Sequence, residues 1–202
     1  MPIKEFIRHK IKAQRKLLSK HVVETKSKEV VGNLMQFLGN KKPSRILFYY
    51  SQDKEPDISE IVERCPTSQI FAPYFENDKW YIAQITGKEK LHKVFREISQ
   101  PISPVKLLNS LRTAGFDEND IIFVPGIAFS TDGSRIGYGS GTYDKLLRNI
   151  KSIKIGICYE FQLLQNIPSE SHDIKMDVII TEDSITKVSF LDPNCDNLNH
   201  TD

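Results

Sequence analysis

The sequence predicts an α/β fold, a mostly parallel sheet flanked by helices. Short continuous apolar runs recur along the chain: ILFYY (46–50), IFAPYF (70–75), WYIAQI (80–85), IIFV (121–124), IKIGICY (153–159) and DVIITE (177–182). Runs of this kind suit strands covered on both faces, as parallel strands are. Stretches of helical periodicity lie between several of them, and strands alternating with helices point to a parallel sheet sandwiched by helices. At 202 residues the chain buries roughly 70% of its unfolded surface as one domain, so a sizeable core needs no disulfide or metal.

Taken in order, Pro2 to about Lys20 carries Ile3, Phe6, Ile7, Ile11, Leu17 and Leu18 near helical spacing, with Pro2 suited to a first turn. A second helix is expected from Val22 to Leu38, ended by Gly39 and Asn40. These N-terminal helices occupy residues 1–40. After the strand at 46–50, helices are expected over Asp57–Arg64, Val105–Ala114 and Thr142–Ile150. Phe71–Phe75 and Trp80–Ile85, separated by Glu76-Asn77-Asp78, form an antiparallel hairpin. QPISPV (100–105) is a proline-bearing connection, and the polar tail 191–202 is expected to be disordered, leaving 1–190 as the folded domain.

Bulk properties exclude more than they select. Apolar residues make up 39% of the chain and charged residues 27%, and the formal charge of +2 is too small to call for a polyanionic partner. Cys65, Cys158 and Cys195 are widely spaced and contain no C-x-x-C pair, which fits thiols in a reducing cytoplasm better than a disulfide framework or a zinc site. MPIKEFIRHKIKAQRK has no apolar secretory core, and no run reaches the roughly 20 apolar residues of a membrane span. A cytoplasmic monomer without membrane or nucleic-acid partners is the expectation. The basic group Lys4, Arg8, Lys10, Lys12, Arg15 and Lys16 reads as a solvated helix face; a nucleic-acid arm is the competing reading, with no recognised motif beside it.

The chemistry concentrates in GSRIGYGSGTYDKLL (133–147). A buried strand ending at Pro125-Gly126 leads into a loop with Gly133, Gly137, Gly139 and Gly141, and a helix is expected from Thr142. Strand, glycine-rich loop and helix N-terminus in that order make a phosphate cradle, because unpaired N–H groups point outward and glycine lets an anion approach them. The run fits neither common phosphate-loop pattern, and a loop of tight turns is the plainer alternative. Arg135 supplies a positive charge. Asp144, in the first helical turn, either complements the helix dipole or sits where a Mg²⁺ ligand belongs, with Asp173 and Asp177 as possible partners. His172 receives no role.

PGIAF-STDGSRIGYGSGTYDKLL resembles the signature of the 5-formyltetrahydrofolate cyclo-ligases (methenyltetrahydrofolate synthetases), P-G-x-x-F followed by R-[LI]-G-x-G-x-G-x-Y-D. Three further pieces agree in order: Lys4-x-x-x-Arg8, YYSQDKEPDIS around Glu55, and HDIKMD before ITE. The resemblance implies ATP-dependent closure of 5-formyltetrahydrofolate to 5,10-methenyltetrahydrofolate with release of ADP and phosphate, on an α/β fold of the three-layer sugar-phosphate isomerase and CoA transferase type. Carried over by position, it implies that Lys4, Arg8 and the segment Arg135, Ile136, Gly137, Tyr138, Gly139, Ser140, Gly141, Thr142 and Tyr143 hold ATP. It further implies that Asp144 and Asp173 hold Mg²⁺, that Tyr50 and Glu55 contact the folate, and that Lys4, Arg135 and Asp144 carry the catalysis. Thr142 stands where the family commonly has a second tyrosine, Ser140 where glycine or a basic residue is frequent, and Gln100 where Glu precedes the proline. The competing enzymatic reading is a sugar-phosphate isomerase or acyl-CoA-handling protein on a related fold.

Overall fold

The computed structural model describes residues 1–93, 99–170 and 173–188. Two long helices open the chain, α1 (Ile3–Leu17) and α2 (Lys20–Leu38). The break between them is local: Leu18 is extended, and the Ser19 hydroxyl accepts from the Val22 amide at 3.2 Å as an N-cap. α2 stops where Gly39 takes φ +50° and its N–H closes on Met35 O.

The strands, in chain order, are β1 (Arg45–Leu47), β2 (Gln69–Glu76), β3 (Lys79–Ile85), β4 (Leu91–Lys93), β5 (Ser99–Pro101), β6 (Lys106–Leu108), β7 (Ile121–Pro125), β8 (Ala128–Ser130), β9 (Arg135–Ile136), β10 (Ile153–Ile157), β11 (Leu163–Leu164), β12 (Val178–Ile180) and β13 (Ile185–Lys187). Short helices α3 (Glu60–Arg64) and α4 (Thr142–Leu146) lie among them. The main sheet runs β13-β12-β10-β7-β1-β2-β3-β6. Its central strands β12, β10, β7, β1 and β2 are parallel, and antiparallel neighbours close both sides.

Alternation along the parallel strands builds two apolar layers. Ile46, Ile121, Phe123, Ile155 and Ile157 face the α2 stripe Val30, Val31, Leu34 and Leu38, with Ile61 of α3 beside it. Leu47, Ile122, Val124 and Ile179 face the opposite way, onto Leu111, Phe116, Phe129 and Leu147. A small sheet, β11-β8-β9, thickens this second layer, and α1 lies against it through Ile11, packed with Ile127, Ala128 and Ile136. The fold is therefore an α/β sandwich with helices on both faces, as the sequence predicts, and the hairpin over 71–85 forms as β2 and β3 in antiparallel register.

Three helical expectations need correction. Val105–Ala114 is not a helix: β6 pairs antiparallel with β3, and the Val105 amide reaches Gln84 O, because the outer edge of β3 offers backbone partners that a helix would leave unsatisfied. The helices expected at 57–64 and 142–150 shrink to five residues each; Asn149 at φ +61° ends the second segment before Ile150. The strand at 46–50 is likewise confined to Arg45–Leu47, with Phe48 to Tyr50 continuing beyond its carboxyl end outside any strand. Cys158 is buried and Cys65 half-buried, both as free thiols, whereas Cys195 and the tail 191–202 lie outside the described residues. Among the described residues no helix is long and apolar enough to cross a membrane.

Two of the loop glycines answer different demands. Gly133 sits at φ +85°, and a Cβ there would lie 2.6 Å from Met176 O, whose own amide donates to Gly133 O. Gly141 is at φ +64° with nothing within 4 Å of a Cβ. Gly141→Ala is therefore expected to lower stability by about 1–2 kcal/mol, the left-handed backbone penalty alone, and Gly133→Ala by clearly more, in paired urea melts. Equal losses would remove the packing role of Gly133.

Candidate active site

Beyond the carboxyl ends of β1 and β7 lies a cleft of about 480 Å³, the place where ligands of open α/β sheets gather. Its walls include α1 with Lys4, Arg8 and Lys12; the stretch after β1 with Tyr49, Tyr50, Gln52, Asp53 and Glu55; the hairpin with Pro73 and Trp80; Ser99 of β5 and Pro125 of β7; the loop from Arg135 to Asp144; and Glu170 with Asp173. Every residue that the family resemblance assigns to the site lines this cleft, although they come from positions as distant as 4 and 173. Asp177 does not; it pairs with Lys154 Nζ at 3.1 Å and accepts from the Lys154 amide at 2.7 Å, at the other end of β12.

The glycine loop meets the cleft with bare backbone. The amides of Gly137, Tyr138, Gly139, Ser140 and Gly141 donate to no protein acceptor among the described residues. Because α4 has five residues, its dipole adds little, so any anion there would be held by the loop amides themselves rather than by the helix end that the sequence suggested. Arg8 Nε donates to Gly137 O at 2.9 Å and its Nη1 to Glu5 at 2.6 Å. Lys4 Nζ is shared between Glu170 at 2.8 Å and Asp173 at 3.1 Å; the hydrogen bond to Glu170 above all raises its pKa. Asp173 also accepts from the Glu170 amide at 2.9 Å.

Arg135 is mostly buried. Its Nη2 donates to Asp144 Oδ1 at 2.9 Å, its guanidinium lies 5.6 Å from the Tyr143 ring centroid, and its Nε has no partner. Asp144 thus keeps Oδ2 for other ligands. Tyr50 packs edge-on against Phe48 at 5.0 Å, and its buried hydroxyl also lacks a partner. Buried polar atoms without partners are costly, and two such atoms on one cleft mark where a bound molecule is expected to supply them. Ser140 and Thr142 hydrogen-bond each other at 2.9 Å. Gln100 holds the hairpin by accepting from the Phe75 amide and donating to Phe75 O; a glutamate could not make the second bond when ionised.

Arg15, which the sequence reads as part of a solvated helix face, also serves the cleft, together with the expected site residues Tyr138 and Glu55. Arg15 is 1% exposed and Glu55 2%. Arg15 Nη2 donates to the Tyr138 hydroxyl at 2.5 Å, that hydroxyl donates to Glu55 Oε1 at 2.5 Å, and Glu55 Oε2 accepts from the Gln52 amide at 3.1 Å. The available signal was the spacing Ile7, Ile11, Arg15, an apolar stripe whose last member is charged. Lys12, Trp80 and Glu170 are further wall residues that the sequence reading left without a role.

A charged cleft of this kind, at the strand ends of a parallel sheet and walled by cations, carboxylates and aromatic rings, suits an α/β enzyme of small polar substrates. The sequence profile of the 5-formyltetrahydrofolate cyclo-ligase family matches residues 1–182, and the chain belongs to that family. The mouse 5-formyltetrahydrofolate cyclo-ligase is 29% identical over 161 residues, 74% of this chain and 77% of the mouse protein. That of Haemophilus influenzae is 25% identical over 184 residues, 85% of this chain and 92% of its own. The structure of Aquifex aeolicus 5,10-methenyltetrahydrofolate synthetase matches with a TM-score of 0.77 at 25% identity, covering 98% of this chain and 97% of that one. The Mycoplasma pneumoniae 5,10-methenyltetrahydrofolate synthetase shares the fold, with a TM-score of 0.65 at 22% identity over 89% of this chain and 98% of its own.

Burial pushes the Glu55 carboxyl up to about 7, against Arg15, Tyr138 and the Gln52 amide, which favour the ionised form. A carboxyl whose native pKa lies above its ordinary 4.5 keeps a proton that the unfolded chain releases. Its stabilising contribution is then full below about pH 4.5 and lost as pH rises through about 7. Infrared difference spectra should show a protonated carboxyl band titrating near pH 7 and missing from Glu55→Gln; a midpoint at or below 4.5 would mean that Arg15 and the hydrogen bonds offset burial.

Proposed function

We propose that this chain converts 5-formyltetrahydrofolate to 5,10-methenyltetrahydrofolate, with ATP and Mg²⁺ as co-substrate and releasing ADP and phosphate. Family membership supports the folate reaction, and the observation that carries the nucleotide half is the row of five unspent amides from Gly137 to Gly141, flanked by Lys4 and Arg8. Such a row suits phosphate oxygens.

The chemistry calls for these parts. A formamide oxygen is a poor leaving group, so N10 cannot close the ring by expelling it unaided. In the proposed sequence the formyl oxygen takes the γ-phosphoryl group of ATP and ADP departs. N10 then adds to the activated formyl carbon and gives up its proton, and the C–O bond breaks to release inorganic phosphate, which carries that proton away. The protein's part is in-line positioning and neutralisation of charge on the phosphate oxygens. Lys4 and Arg8 supply cations from α1, the loop amides cradle the phosphates, and Arg135 braces Asp144.

No group of three metal-ligating side chains exists among the described residues, which fits Mg²⁺ arriving with phosphate oxygens and taking one or two carboxylates. Asp144, through Oδ2, and Asp173 would hold it, and the ion supplies further neutralisation of phosphate charge. Tyr50 would meet the folate through its unpaired hydroxyl, and Glu55 through the lone pairs left after Tyr138 and Gln52. Residues 1–190 act in this reading as one catalytic domain, a cytoplasmic monomer whose partner is the folate, whether or not it bears a polyglutamate tail.

Purified protein with Mg-ATP and 5-formyltetrahydrofolate should form the methenyl chromophore with one ADP per turnover; no chromophore at any substrate level ends the proposal. Asp144→Asn should lose about 100-fold or more in turnover per folded molecule, beyond whatever the loss of Arg135's counter-charge takes from the melting temperature. A lower melting temperature with full activity per folded molecule would leave Asp144 only its place at the helix end.

A further inference from the structure

α1 holds the glycine loop through several side chains at once. Four cations, Lys4, Arg8, Lys12 and Arg15, follow one another at spacings of four, four and three residues and so share one face of the helix. Three of them contact residues 137 and 138. Arg8 bonds Gly137 O at 2.9 Å, Lys12 Nζ lies 5.1 Å from the Tyr138 ring centroid, and Arg15 both bonds the Tyr138 hydroxyl and stands 5.6 Å from its ring.

Tyr138 is the pivot of this arrangement. It sits between Gly137 and Gly139, the latter at φ +96°, so its backbone neighbours give the loop little stiffness of their own. Its hydroxyl accepts from Arg15 and donates to Glu55, a carboxylate 3.7 Å from Arg15 Nη1. One phenol thereby joins three separate walls of the cleft: α1, the segment after β1 and the glycine loop. The buried Arg15 is not itself part of the cleft lining. Its charge must act through what it touches.

We infer that Arg15 is a positioning residue: through the Tyr138 hydroxyl it ties the glycine loop to α1 and Glu55, setting the amides of Gly137 to Gly141 where Lys4 and Arg8 can share a nucleotide's phosphates with them. The assignment rests on the nucleotide reading above. It adds that a residue with no place on the cleft wall controls nucleotide affinity, and that the tyrosine contributes by its hydroxyl as well as its ring.

Calorimetry of the full chain with Mg-ATP and, separately, with 5-formyltetrahydrofolate tests this alongside steady-state kinetics. Tyr138→Phe keeps the ring and removes the link; Kd and KM for ATP should rise about tenfold, with kcat within about twofold and folate affinity within about threefold. Arg15→Met leaves Glu55 buried beside no cation and is expected to unfold more readily. The double substitution Arg15→Met with Glu55→Gln removes both charges, so it should recover the melting temperature of the single variant's parent while ATP affinity stays at least tenfold weak. Arg15→Lys, which keeps charge but not the planar fork, should restore only part of it. If Tyr138→Phe and the folded double variant bind Mg-ATP as tightly as the parent, the positioning role is wrong. If the parent protein binds no Mg-ATP at all, the nucleotide reading itself has failed, and the inference falls with it.

Discussion

A guanidinium removed from water has to be matched where it lies, and Arg15 is matched by two groups from elsewhere in the chain. Taking an ion of this size out of solvent costs several kcal/mol even after relaxation, and the partner's removal leaves that cost uncompensated. Tyr138 meets part of the demand by a hydrogen bond and Glu55 by a carboxyl 3.7 Å from Nη1, while Arg15 Nε and Nη1 have no hydrogen-bond partner among the described residues. Satisfying the ion fixes the relative placement of α1, the segment after β1 and the loop that follows β9. The cleft inherits its shape from that requirement.

The layers around this junction answer a simpler need. Five parallel strands must be covered on both faces, and the inward and outward alternation of Ile46 and Leu47, or Ile121 and Ile122, is satisfied by α2 on one side and by the small sheet with α4 on the other. α1 belongs to neither layer in the ordinary sense. It rests on the small sheet through Ile11 and spends its opposite side on the cleft. The helix with the most basic residues is thus the one most involved in the candidate site.

Much of this was legible in the chain. The apolar runs announced the buried strands, since IIFV has no polar residue to offer a solvent face and IKIGI only Lys154 near its start, and the order of strand, glycine loop and helix pointed to the cleft. What could not be read was tertiary. Val105–Ala114 has helical spacing, yet the open edge of β3 claimed residues 106–108 as a strand. Arg15 sits in a run of lysines and arginines, and apart from its place four residues after Ile11 nothing in the sequence separates it from the basic residues around it; the packing of α1 buries it. The pairing of Arg15 with Glu55 spans 40 positions of sequence and leaves no local pattern behind.

Both outer strands of the main sheet, β6 and β13, are three residues long and run against their neighbours. A strand that short exposes few dangling amides and carbonyls. Intermolecular ladder growth, the usual hazard of an open sheet edge, therefore finds almost no template on either flank.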